Sequence, residues 1–179
     1  LPNAPTVLIS RDGQFSFWAW LTATQGFRDE QLRPYGFNLA QFLSDQTIVQ
    51  QGYATSEPLY AAAQGVDVDV FMLADYGWST YSTTVETRTD LVEQNPDLVQ
   101  RFMDASIIGW YNFLYGDRTG AYELIMRDNA DATVESLDAQ LEQLMNLGIV
   151  DSGNALEKGI GAMDLAPMPS RRGSAPWTS

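Results

Sequence analysis

Apolar and polar residues alternate in short blocks through the first half of the chain, then settle into spacings of three and four after residue 90. Thr6 to Ser10 is β-branched and apolar, which predicts a strand; Arg11-Asp12-Gly13 follows as a turn, and Ser16 opens a helix at Phe17-Trp18-Ala19-Trp20-Leu21. Tyr35, Phe37 and Leu39 alternate with Gly36, Asn38 and Ala40, predicting a second strand entered through Pro34. Ser44 is placed to cap a helix from Asp45 to Gln51, with Gly52 as its left-handed stop. Tyr53 to Ser56 then reads as extended, and Pro58 opens a helix from Leu59 to Gln64. Val66, Val68, Val70 and Met72 alternate with Asp67, Asp69 and Phe71 as another strand, and the β-branched run 81–87 looks like one more. Strands alternating with helices predict an α/β sheet covered by helices.

Beyond residue 90 the reading is helical. Asn95 caps, Pro96 takes the first helical position, and Asp97 faces the positive end of the helix dipole. Val99, Phe102, Met103, Ser106, Trp110, Phe113 and Leu114 continue that helix to Gly116, and their stripe is most simply core. Further helices are predicted over Gly120 to Arg127 and Leu137 to Leu147, the latter stopped by Gly148. Residues 164–179 carry three Pro without periodicity and read as an irregular tail.

Composition then removes whole classes of chemistry. The chain has 179 residues, 45% apolar, with 10 Lys+Arg against 23 Asp+Glu, a net charge of −13, and neither His nor Cys. Without them there is no imidazole base, thiolate or disulfide frame, which excludes most hydrolase and zinc sites; no cofactor or metal is expected. Nucleic acid is excluded as a partner, since one Lys (Lys158) and scattered Arg form no basic patch. Apolar runs such as Phe17–Leu21 fall far short of the ~20 residues that span a bilayer, and residues 1–5 show no signal pattern.

The remaining candidates are carboxylates, amides and aromatics. Asp67 and Asp69 would share one strand face, where a solvated surface is the simpler reading than a cation or proton-sharing pair. Asp128, Asp131 and Glu135 lack the Gly and spacing of a calcium loop, and Gly159-Ile160-Gly161 is too short for a dinucleotide fingerprint. The loop Arg11 to Ser16, with Gln14, Phe15 and Ser16, enters a helix and offers amide donors to a polar ligand. Most informative is the segment 50–58, where Gln51, Tyr53, Ser56 and Glu57 crowd the carboxyl edge of the expected sheet, the edge at which open α/β folds bind ligands.

Several segments carry a family resemblance: Tyr35-Gly36-Phe37-Asn38 with Phe42-Leu43-Ser44-Asp45, Gln50-Gln51-Gly52-Tyr53 with Ser56-Glu57-Pro58, Leu73-Ala74-Asp75-Tyr76-Gly77, Asn95-Pro96-Asp97-Leu98-Val99 and Gly159-Ile160-Gly161-Ala162-Met163. In this order they resemble the NMT1/THI5-like group of ABC-transporter substrate-binding proteins. The resemblance covers residues 5 to about 163. It implies a periplasmic-binding-protein fold of type II, with one complete lobe (5–76) and the hinge strand and C-terminal helices of the other (77–163). At both ends the chain departs from the family pattern, so it resembles a fragment, and self-association through uncovered apolar faces is expected.

What the resemblance implies about function is a periplasmic, non-catalytic protein that passes a small molecule to an ABC permease. The ligand class stays open among pyrimidine precursors, sulfonates and nitrate. Phe15, Trp18 and Tyr53 suit a flat ring, with Trp18 expected to face the cleft, whereas an anion site would want more Arg and hydroxyl donors. Asn38 and Tyr76, inside the resembling segments, join Gln14, Phe15, Ser16, Trp18, Gln51, Tyr53, Ser56 and Glu57 as the expected ligand contacts. Two alternatives accompany this: a truncated member that captures no ligand, and a relative of the pyrimidine-synthesising enzymes, which the absence of His and Cys disfavours.

Overall fold

Val7, Leu8 and Ile9 are only 1–2% exposed, and the first half of the chain is arranged around them. They belong to β1 (Thr6–Ile9), the middle strand of a parallel sheet ordered β2-β1-β3, with β2 at Leu32–Pro34 and β3 at Ile48–Gln50. Leu8 lies opposite Arg33 on one side and Gln50 on the other. A central parallel strand has both faces covered, which is why its sequence is continuously apolar. Val7 and Ile9 pack on Trp18, Leu21 and Phe27, while Leu8 faces Tyr35, Ile48 and Phe42. Each such side chain contributes about 1.5–3 kcal/mol when fully buried.

The computed structural model describes residues 1–163, so the tail 164–179 lies outside the described residues. The chain divides into two compact units, Leu1–Thr80 and a second that begins at Tyr81. In the first, α1 (Arg11–Phe15) starts where the Ser10 hydroxyl accepts from Gly13 N–H at 3.2 Å. It breaks at Ser16, whose hydroxyl donates to Asp12 O at 2.9 Å, and α2 (Phe17–Thr24) follows. The expected turn at Arg11–Gly13 is therefore the first turn of a helix. After α3 (Ala40–Ser44) and β3 comes α4 (Glu57–Ala63), carrying Pro58 in its first turn. Gly65 closes it at φ +76°, with Val66 N–H bonded to Ala61 O, a stop that only a residue at ease in the left-handed region makes cheaply.

Five expected elements do not form as read. The segment Tyr35 to Ala40 is a loop leading into α3, because the ladder ends at Pro34 and Phe37 sits at φ +58°, outside any strand. Residues Asp45 to Gln51 are not a helix: Asp45 Oδ1 accepts from the amide and hydroxyl of Thr47, and Ile48-Val49 then pair with β1, where β-branched residues fit. Gly52 consequently stops no helix, and its φ is not positive. Tyr53 to Ser56 is a turn closed by Ser56 N–H to Tyr53 O at 2.9 Å. The alternating run 66–72 and the β-branched run 81–87 form no strand, since neither has a ladder partner in the three-stranded sheet.

The second unit, as described, is helical: α5 (Thr89–Gln94), α6 (Pro96–Tyr115), α7 (Thr119–Asp128), α8 (Val134–Asn146) and α9 (Ala155–Lys158). Thr133 and Ser136 cap α8 reciprocally, and Gly148 at φ +60° ends it as expected. Leu114, Leu141 and Ile160 form one core cluster, Tyr122, Ala132 and Leu137 another. Gly159-Ile160-Gly161 thereby serves packing: Ile160 is buried, and its N–H donates to the Tyr111 hydroxyl. The α6 stripe is only partly core. Leu114 and Phe113 pack inward, but Phe102 and Trp110 are 56% and 40% exposed, so their spacing alone misassigned them.

Gly13 is where packing is tightest. A methyl group there would lie 2.7 Å from Ile9 Cγ2 and Gln51 Oε1 and 2.8 Å from Phe17 Cε1, whereas Gly36 has open space around it. Gly13→Ala is expected to cost about 1–3 kcal/mol and Gly36→Ala about 0.5 kcal/mol or less, measured by urea denaturation.

Candidate functional site

The carboxyl ends of the three strands converge on Ser10, Tyr35 and Gln51, each of which directly follows its strand. Gln51 continues the ladder by donating its backbone N–H to Leu8 O at 2.8 Å, and Tyr35 does the same to Ile9 O at 3.0 Å. The Gln51 side chain turns back across the edge, its Oε1 accepting from Ser10 N–H at 2.8 Å. Since Ser10 N–H can only donate, this contact fixes which end of the carboxamide faces β1.

Glu57, in the first turn of α4, completes the group. Its Oε1 accepts from the Tyr35 hydroxyl at 2.9 Å and its Oε2 from Tyr53 N–H at 2.7 Å. A carboxylate offers about four lone-pair positions, so two remain for other donors. The placement depends on Gly52: a methyl group there would lie 3.0–3.2 Å from Cβ, Cγ and Cδ of Glu57. Burial first, then the bond to Glu57 and its charge, pushes the Tyr35 phenol well above its ordinary value. It therefore stays a proton donor throughout the physiological range.

Exposed aromatic residues adjoin the groups that hold this carboxylate. Phe37 rests on Tyr35 with ring centroids 5.1 Å apart and is 70% exposed; Tyr53 is 53% exposed. Phe37 holds the left-handed backbone region without being glycine, a conformation that costs about 1–2 kcal/mol and concentrates at functional positions.

Of the expected site residues, the structure brings Gln51, Tyr53 and Glu57 together. Ser56 precedes Glu57 in the turn that delivers it. Gln14 lies near the end of β1, its Nε2 donating to Ile9 O at 3.1 Å. Phe15 and Ser16 are exposed at the end of α1, and Asn38 is exposed beyond β2, its Oδ1 accepting from Ala40 N–H. Tyr76 is half-buried in the turn Leu73–Tyr76. Trp18 is a correction: it is 5% exposed, packed edge-on to Phe27, and its indole N–H donates to Asp29 Oδ1 at 2.8 Å, so it is core and not a ligand platform. Asp67 and Asp69 are exposed on an irregular segment and share no strand face. Asp128 ion-pairs with Arg127, and Asn129 Oδ1 caps Asp131. Tyr35 and Phe37 were missed; the Pro34-Tyr35-Gly36-Phe37-Asn38 sequence, dense in turn residues, was the signal that this stretch is a loop.

This arrangement places an ordered carboxylate at the carboxyl edge of the sheet, next to residues with exposed aromatic rings. Residues 19–116 match the family described as NMT1/THI5 like, more than half of the chain, and the chain belongs to that family. Among curated proteins, the riboflavin-binding protein RibY of Chloroflexus aurantiacus is 30% identical over 134 residues, which is 72% of this chain and 38% of RibY. The chain thus spans well under half the length of that relative. No solved structure matches it. Family and relative both point to a binding protein and not to an enzyme.

The Tyr35–Glu57 bond has a testable pH signature. The folded phenol titrates above the unfolded one, so its stabilisation is fully present below pH 10 and is lost as pH rises from there toward the folded value. Tyr35→Phe is expected to cost about 1 kcal/mol at pH 7 and to flatten the decline in urea midpoint above about pH 10.

Proposed function

We propose that this chain is the ligand-capturing part of a solute-binding component of an ABC importer, with a flat heteroaromatic compound of the flavin or pyrimidine class as its ligand. The observation that carries this is the Glu57 carboxylate, held by Tyr35 and Tyr53 beside exposed aromatic rings. A ring N–H meets an acceptor there and a π-face meets Phe37 or Tyr53. Nitrate or a sulfonate would meet a carboxylate, and a like charge at short range is repelled. The riboflavin that RibY is named for falls within the favoured class.

Delivery to a permease and a periplasmic location belong to the same proposal, as does the two-lobed arrangement with lobes at 5–76 and 77–163. Among the described residues, no helix is long and apolar enough to cross a membrane. The pyrimidine-synthesising chemistry of some relatives, which consumes a His, has no substrate residue in this chain. The exposed Ile108, Tyr111 and Tyr115, which share one face of α6, favour a second property, self-association. Sedimentation velocity at micromolar concentrations is expected to show a dimer or larger.

Riboflavin titrated with the purified chain is expected to lose fluorescence on binding, and Glu57→Gln to weaken it about ten- to a hundredfold, the equivalent of roughly 1.5–3 kcal/mol for a hydrogen bond to a charged group. Stabilisation by nitrate or sulfonates, with no response to flavins or pyrimidines in a thermal-shift screen, would reverse the ligand assignment.

A further inference from the structure

Resting on that binding reading, a more specific feature appears where Gln51 and Glu57 bracket Gly52. Because Gln51 Oε1 is committed to Ser10 N–H at 2.8 Å, its Nε2 group is directed away from β1, and among the described residues it has no hydrogen-bond partner. Glu57 lies over Gly52, the residue next to Gln51, with its Cβ, Cγ and Cδ 3.0–3.2 Å from where a methyl group at Gly52 would sit, and beside its bonds to the Tyr35 hydroxyl and Tyr53 N–H it keeps spare acceptor capacity. The edge thus carries an oriented donor and an oriented acceptor, each immobilised by a backbone contact of its own.

We infer that Gln51 and Glu57 together read a ring edge on which an N–H lies next to an acceptor, the N–H going to Glu57 and the neighbouring carbonyl oxygen or ring nitrogen taking the Gln51 amide. Two kinds of ring have that edge: cyclic imides and lactams, as in flavins and pyrimidinediones, and aminopyrimidines. Both match a donor–acceptor pair, whereas a ring bearing only acceptors leaves Glu57 facing a lone pair, and a ring bearing only donors leaves Gln51 unpaired. Phe37 and Tyr53 supply apolar faces without sequence of charge, so the polar pair decides which rings are accepted.

The test uses the intact chain with lumiflavin, N3-methyllumiflavin and 4-amino-2-methylpyrimidine, followed by calorimetry. Lumiflavin is expected to bind the wild type about tenfold or more tightly than its N3-methyl derivative, because the methyl group removes the donor that Glu57 accepts. Gln51→Glu keeps the oxygen facing Ser10 N–H but replaces the donor by an acceptor; it is expected to weaken lumiflavin about tenfold or more with little change in melting temperature. Binding of lumiflavin alone assigns the edge to imides, and binding of the aminopyrimidine alone assigns it to amidine-type rings. If lumiflavin binds but neither N3-methylation nor Gln51→Glu changes its affinity, edge reading is wrong and capture of a heteroaromatic ring still stands. If none of the probes binds the wild type, the binding reading fails and this inference with it. The N3-methyl comparison uses only the wild-type chain and reads the Glu57 half; if Gln51→Glu folds poorly, Gln51→Met, which keeps the side chain's length but has no donor, reads the Gln51 half, and unchanged lumiflavin affinity in it overturns the pairing.

Discussion

Everything at the carboxyl edge of the sheet depends on β1 being buried on both faces. Val7 and Ile9 are held by α2 and Phe27, Leu8 by Tyr35 and Ile48, and these opposed packings leave the strand no freedom to slide or rotate. A parallel strand shifted by one residue would exchange its two faces, which here means moving Leu8 into the space of Val7 and Ile9. With the register pinned, the residues following each strand emerge at one level. Ser10, Tyr35 and Gln51 are neighbours for that reason, although they are far apart in sequence. The short helix α4 then needs only to deliver Glu57 to a place already defined.

Charge at this edge runs against the usual logic of an acidic protein. A chain of net charge −13 would be expected to keep another carboxylate solvated, yet Glu57 is drawn back by a phenol and a backbone amide. Neither partner neutralises it. Two hydrogen bonds fix the side chain, so the entropy of ordering it is spent in folding.

Which parts of this were legible in the sequence follows from range. The helices α4, α6 and α8 announce themselves through local signals, Pro58, Asn95-Pro96 and Gly148, and these three and α7 each lie within a few residues of the expected span. The first strand and the family were legible as well, the one from an unbroken apolar run, the other from linked segments. The strands β2 and β3 were not, because three residues apiece carry too little periodicity, and their existence is decided by pairing with β1. The runs 66–72 and 81–87 show the converse, good strand patterns with no ladder partner among the described residues. Gln51, Tyr53 and Glu57 could be grouped from sequence because they are close along the chain; Tyr35 was missed because its partner is 22 residues away, and Trp18 was misplaced because a large aromatic beside a loop looks the same whether it faces inward or outward.

Gly52 gives the acceptor its position by being bare. The stem of Glu57 lies across its α-carbon, and a methyl group there would press on three of that stem's carbons. Position 52 is exposed and outside the core clusters, so a substitution there leaves folding largely untouched while moving the carboxylate. A side chain added at position 52 would thus act on Glu57 without altering Tyr35 or Tyr53, the two residues that hold it.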